Sequence, residues 1–180
     1  MSDKTDGTHA ITTEEVVALL ESMADLPYLG EPVSQLEHSL QAGAAMRAAG
    51  GDDEAVLAAV LHDIGRAPAL RTKGEPHEIT GQRWCAEEIS ERAGYLVGAH
   101  VPAKRVLVVI DPAYGDELSS TSVATLRTQG GPASKDEVDA FLAHPWAADA
   151  LELRRADDAA KVPGGDALDI DEVVALLDVR

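Results

Sequence analysis

A histidine followed directly by an aspartate, His62-Asp63, closes an apolar helical segment that runs from Glu54 to about Ile64. The neighbours Val60, Leu61 and Ile64 would bury that pair. Neutral imidazole and carboxylate on adjacent residues offer two ligands suited to borderline ions such as iron, manganese and zinc. The dipeptide alone arises often by chance, and its companions decide the reading. They are His38 upstream, His77 and His100 downstream, and Asp157 farther on, all in segments of helical character. Six ligands of this kind exceed what one metal normally takes from protein, so the pattern predicts a two-metal site inside an all-α fold.

The rest of the chain reads as helices between breakers. Thr12-Thr-Glu-Glu15 is a capping-box pattern, followed by Val16, Val17, Leu19, Leu20 and Met23 at helical spacing. Pro27 and Pro32 interrupt; a second helix spans about Ser34 to Ala49, carries His38 and stops at Gly50-Gly51. Asp52 or Asp53 caps the His-Asp helix. Residues 65–76 form a loop, and helix four starts after Pro76 and is expected to stop at Gly94. Tyr95 to His100 and Ala103 to Asp111 read as two helical pieces meeting at Pro102. A short helix is expected near Ser122 to Thr128, one from Ser134 to about His144, and a long one from Trp146 to Lys161. Asp169 to Val179 reads as an amphipathic helix packed on the outside. Residues 1–11 are expected to be a loose tail and 12–180 a single helical domain, with no repeat and no β alternation.

Composition excludes several classes. The 180 residues suffice for one core without staples. Ala, Leu and Val dominate over one Phe, two Trp and three Tyr, which suits close helix packing. A net charge of −17 argues against nucleic acid and requires that any anionic ligand meet a local cluster of cations. Cys85 has no second cysteine to pair with, no signal peptide begins the sequence, and no apolar run reads as a membrane span, so a cytoplasmic protein is expected.

Within the ligand set, Asp157 is preferred to Asp158 because it lies four residues before Lys161, on one helix face with it. Asp158 and Lys161 are read as supporting residues outside the set, Asp158 as an acceptor that orients a ligating histidine. His9 is set aside as part of the tail, and His144, before Pro145, as a capping or supporting residue. Lys104 follows His100 by four residues and can sit beside the same metal. Ser122, Thr125 and Gln129 fall at i, i+3 and i+7, one polar helix face able to surround anionic oxygens.

The order His…His-Asp…Asp resembles the HD-domain superfamily of metal-dependent phosphohydrolases. The additional pair His77 and His100 resembles its mixed-valent diiron oxygenase branch, which includes myo-inositol oxygenase and the oxygenases of organophosphonate catabolism. Six segments point to the organophosphonate group: Tyr28 to His38, His77 to Gly81, His100 to Arg105, Asp111 to Tyr114, Ser122 to Pro132 and Arg154 to Lys161. The resemblance implies an HD-type helical bundle holding an Fe(II)/Fe(III) pair. With O2 as co-substrate, it would cleave the carbon–phosphorus bond of a 1-hydroxyphosphonate to give inorganic phosphate and a carboxylic acid. It further implies that Asp63 bridges the irons, with His38, His62 and Asp157 on one and His77 and His100 on the other. Tyr28 would occupy the dioxygen-side iron until substrate arrives, and Glu31 would contact the substrate's distal group, mildly favouring a cationic one.

One position departs from the family pattern. Arg66 stands where the family has a further histidine near the phosphonate. Its fork can grip phosphonate-like oxygens while altering the pocket. The main rival is an HD-type phosphohydrolase that uses the same ligands to activate water on a phosphate ester or nucleotide. A cyclic-polyol oxygenase and a non-catalytic metal or nucleotide sensor stand behind it.

Overall fold

The computed structural model describes residues 10–28 and 30–179; the expected loose tail, with His9, lies almost wholly outside them. The described residues are all-α. Helices α1 (Thr13–Glu21), α2 (Gln35–Ala48) and α3 (Asp53–Leu61) come first, then a 3-10 turn at Ile64–Arg66. Helices α4 (His77–Glu88), α5 (Glu91–Ile110) and α6 (Pro112–Glu117) follow. Helices α7 (Ser120–Thr128), α8 (Lys135–Leu142), α9 (Ala147–Ala159) and α10 (Ile170–Asp178) complete the chain.

Helix α3 is the axis. Ala55 through Leu61 are all buried, so no face of it meets water, as an all-round apolar sequence requires. Helices α2, α5, α9 and α10 pack around it, with α4 on α5 and α1 on α10. Helix α10 lays Val173, Leu176 and Leu177 into the main core. Capping boxes at Thr12, Ser134 and Asp169 start α1, α8 and α10, and Asp52 caps α3 through the Ala55 N–H.

Three boundaries differ from the sequence reading. The third helix stops at Leu61, before the His-Asp pair: His62 is its C-cap, and Asp63 sits at φ −102°, ψ 11°, in the bridge region. Gly94 does not end α4. That helix ends at Glu88, with Ile89 as its C-cap, and Gly94 lies inside α5. A Cβ at Gly94 would fall 2.6 Å from the Ala86 Cβ, so this glycine permits close approach of α4 and α5 instead of a turn. Pro102 does not divide α5, which runs unbroken for 20 residues. A proline removes one helix hydrogen bond, and this one lies on the exposed side while Val101, Ala103 and Lys104 are anchored in the interior. Helix α5 is thereby long and apolar enough to cross a membrane, but 67% of its apolar 18-residue stretch is buried within the bundle, as befits a core helix.

The turn after α3 rests on Gly65. A Cβ there would collide with the His77 carbonyl oxygen and lie 2.9 Å from the Gly81 N, both backbone atoms that cannot yield. This contact sets the start of α4 against Asp63. Gly65→Ala is expected to cost about 3 kcal/mol of stability through overpacking. Urea unfolding of the variant reads this directly, and a midpoint equal to that of wild type would contradict the role given to the glycine.

Candidate metal centre and anion pocket

Five elements bring the six candidate ligands to the C-terminal end of α3, where the helix's negative pole favours cations. They form two neighbouring groups. In the first, His38 Nε2 lies 3.0 Å from His62 Nε2 and 3.2 Å from Asp157 Oδ1. In the second, His77 Nε2 lies 2.9 Å from Asp63 Oδ1 and 3.2 Å from His100 Nε2. The break after Leu61 explains why adjacent residues serve different groups: His62 turns to α2 and α9, and Asp63 turns to α4 and α5. Each triad keeps its donor atoms within 4.8 Å of one another.

The opposite ring nitrogens fix how the imidazoles present themselves. His38 Nδ1 donates to Ala160 O at 2.6 Å, His62 Nδ1 to Ala59 O at 2.7 Å and His100 Nδ1 to Val97 O at 2.6 Å. A carbonyl oxygen can only accept, so in these three the Nδ1 carries the hydrogen. His77 Nδ1 is held 3.1 Å from Glu78 Oε2, which plays the same part. Every neutral ring therefore aims an Nε2 lone pair inward, the arrangement by which outer groups orient metal ligands. Asp63 Oδ1 is buried and accepts no hydrogen bond of good geometry. Converging lone pairs and an unsatisfied carboxylate oxygen are what a cation requires, and both triads could hold one.

Electrostatics agree. Burial pushes the pKa of His62 down, and that of His100 well down, which keeps these rings neutral. For His38 burial works in the same direction, but the hydrogen bond and charge of Asp157 outweigh it and raise the pKa. Asp157 thus draws positive charge, a proton or a metal, to the point where the first triad meets. Burial alone would raise the pKa of Asp63 and Asp157. Arg66, His77 and His62 hold Asp63 well below the ordinary carboxylate range, and Arg154 with His62 and His38 does so for Asp157.

Above the triads opens a cavity of about 560 Å³. Arg66, Lys104, Ser122, Thr125, Gln129 and Lys161 line it, together with Tyr28. Lys104 Nζ donates to Thr125 Oγ1 at 2.8 Å, and Lys161 Nζ donates to Ser122 Oγ at 3.0 Å. Tyr28 stacks on His38 with centroids 3.9 Å apart and points its hydroxyl at Asp157 Oδ1, 3.4 Å away. Burial, then Asp157 and Asp63, push its pKa far up, so the phenol stays protonated here.

Several placements depart from the sequence reading. Glu31 does not line the cavity; its carboxylate accepts from Ser119 Oγ at 2.7 Å, at the start of α7. Asp158 touches no histidine. It accepts from Tyr114 Oη at 2.5 Å, Ser122 Oγ at 3.1 Å, Arg154 Nη2 at 2.5 Å and Lys161 Nζ at 2.8 Å. Lys161 accordingly pairs with Asp158 and not with Asp157, because α9 ends at Ala159. His144, by contrast, agrees with its capping reading: it lies away from the triads, where its Nδ1 accepts from the Trp146 N–H at the head of α9.

Three residues escaped the sequence reading. Arg154 is buried on the cavity wall and donates to Asp157 Oδ2 at 2.6 Å as well as to Asp158. The spacing of Arg154 to Asp157 and Asp158, i to i+3 and i+4, was the available signal. Glu78 follows His77 directly in sequence. Gln35 on the cavity wall has a buried Oε1 without a hydrogen bond, for which no sequence signal exists.

No family model matches the chain. Individual relatives do. The glycine-betaine-forming 1-hydroxy-2-(trimethylamino)ethylphosphonate dioxygenase of Leisingera caerulea is 32% identical over 155 residues, 82% of this chain and 79% of the relative. Hydroxymethylphosphonate dioxygenase of Gimesia maris is 33% identical over 169 residues, 88% of this chain and 84% of the relative. The chain belongs to the phosphonate dioxygenase family. An uncharacterized protein of Acanthamoeba polyphaga mimivirus is 31% identical over 156 residues, 82% of this chain and 71% of the relative. A phosphonate dioxygenase needs a metal to engage O2, and the two triads provide candidate positions for it.

Lys104 gives the cavity wall a pH-dependent charge. Burial, with Arg154 nearby, lowers the Lys104 pKa from 10.5 to about 8. The ammonium form is complete below that value and disappears as pH rises through it. Binding of methylphosphonate by wild type, taken relative to Lys104→Met so that the ligand's own titration cancels, is therefore expected to weaken about tenfold between pH 7 and 9 as Lys104 loses its one extra proton. Calorimetric titration checks this, and identical pH profiles for the two proteins would contradict it.

Proposed function

We propose that this chain uses O2 and a pair of irons to split the carbon–phosphorus bond of a small 1-hydroxyphosphonate, releasing phosphate and a carboxylic acid. The observation that carries this reading is the pairing of two buried His/Asp triads with a cationic cavity directly above them. On this reading His38, His62 and Asp157 would hold one iron and His77 and His100 the other, with Asp63 as a ligand to the pair. When bound, the metal pair supplies O2 activation and a change of oxidation state, which zinc cannot supply.

The chain's own residues do the remaining work. Lys104 and Lys161 offer ammonium groups to the phosphonate, and the Thr125 and Ser122 hydroxyls accept from them and hold them on the wall. Arg154 adds a permanent charge to the same wall while anchoring Asp157 and Asp158. Fixing the dianion there holds the hydroxyl-bearing carbon toward the triads and excludes water from it. Tyr28 covers the first triad from the cavity side and must withdraw for a reactant to reach it. The overall balance needs no outside reductant. A 1-hydroxyphosphonate plus O2 has the same atoms as the carboxylic acid plus phosphoric acid, with four electrons passing from substrate to O2.

The wall also bears on the substrate's distal end. Tyr28 is the one phenol or indole ring lining the cavity among the described residues, so a trimethylammonium group would find no aromatic cage. Glu75 is engaged by Arg83 and Thr80, whereas Arg66 and Arg71 stand on the same wall. This favours a substrate without a distal cation, such as hydroxymethylphosphonate. The rival is hydrolysis of a phosphate ester with the same ligands.

Iron-loaded protein is expected to release phosphate from hydroxymethylphosphonate with one O2 consumed per phosphate, none without O2, and faster than from the trimethylammonio analogue. Phosphate release that continues without O2 would overturn the oxygenase reading in favour of hydrolysis.

A further inference from the structure

The second triad already has a cationic neighbour. Arg66 Nη2 donates to His77 Nε2 at 3.1 Å, and Arg66 Nε lies 2.9 Å from Asp63 Oδ1. These are two of the atoms that the second iron would use. An imidazole Nε2 has a single lone pair, so His77 can accept from the guanidinium or bind a metal, but not both. The contact with Asp63 lacks hydrogen-bond geometry, so charge alone holds the guanidinium to that carboxylate. The side chain is 36% exposed and lines the cavity, which gives it a place to go.

We propose that Arg66 is an internal counter-ion that competes with the second metal for Asp63 and His77, and that swings into the cavity to meet the phosphonate once that metal binds. This rests on the dinuclear reading above. Its physical basis is that a buried carboxylate demands positive charge, and a guanidinium cannot give up its own by losing a proton. Displaced by a metal, the cation is available to a dianion a few ångströms away. Metal and anion therefore assist each other through Arg66: the metal drives the arginine out, and the phosphonate gives it a partner there. The first triad has no cationic competitor of this kind: Arg154 reaches only Oδ2 of Asp157, and Oδ1 faces His38, His62 and the uncharged Tyr28 hydroxyl.

The test is calorimetric titration of metal-stripped protein with Zn²⁺, which binds without redox change, comparing wild type with Arg66→Gln, Arg66→Met and Arg66→Lys. The two neutral variants are expected to bind the second ion about tenfold or more tightly than wild type, within the usual span of coupled binding. First-ion affinity should be unchanged, and the lysine variant should fall between. Saturating methylphosphonate should strengthen second-ion binding more in wild type than in the neutral variants. A purely structural role for Arg66 would instead weaken or leave unaltered the second ion. Two ions bound with equal affinity in wild type and in every variant that keeps the wild-type unfolding temperature overturns the proposal alone. A single ion in all proteins overturns the dinuclear reading as well.

Discussion

Two carboxylates, Asp63 and Asp157, lie almost fully buried at the end of an apolar helix, and positive charge has to meet them there. Nearly every feature around them answers that demand. Arg154 forks across Asp157 and Asp158, Arg66 reaches Asp63, and Asp157 draws charge to His38. The same two acids, with four inward-facing imidazoles, make a setting in which metal ions replace protons and guanidinium as the compensating charge. The surplus of cations on the cavity wall then serves an anion, although the chain as a whole carries −17.

Geometry follows from where helices stop. Had α3 continued through Ile64, His62 and Asp63 would sit on one helical surface about 100° apart. Its end at Leu61 separates them into two triads, and Gly65 lets α4 begin close enough for His77 to reach Asp63. Helix α5 passes Pro102 without a break and so keeps His100 and Lys104 one turn apart, the first among the triads and the second on the cavity wall.

Much of this was legible in the sequence because helical periodicity and ligand chemistry are local properties. The all-α class, the capping box at Thr12 and the convergence of His38, His62, Asp63, His77, His100 and Asp157 could be read from residue type and order. Glycine and proline were harder. Gly94 and Pro102 signal breaks by local rules, yet packing overrides both, one as a close helix contact and the other as a tolerated exposed site. Side-chain partners of a polar cluster were the least legible. Asp158 gathers Arg154, Lys161, Tyr114 and Ser122, and Glu31 turns to Ser119, choices that depend on tertiary distances no spacing encodes.

The most direct test of the account is metal content and electron paramagnetic resonance on protein reconstituted with iron and partly oxidised. Two irons per chain and a mixed-valent signal that shifts when a hydroxyphosphonate is added would be the predicted result. One redox-silent ion per chain, with a spectrum indifferent to the phosphonate and to oxygen, would contradict it.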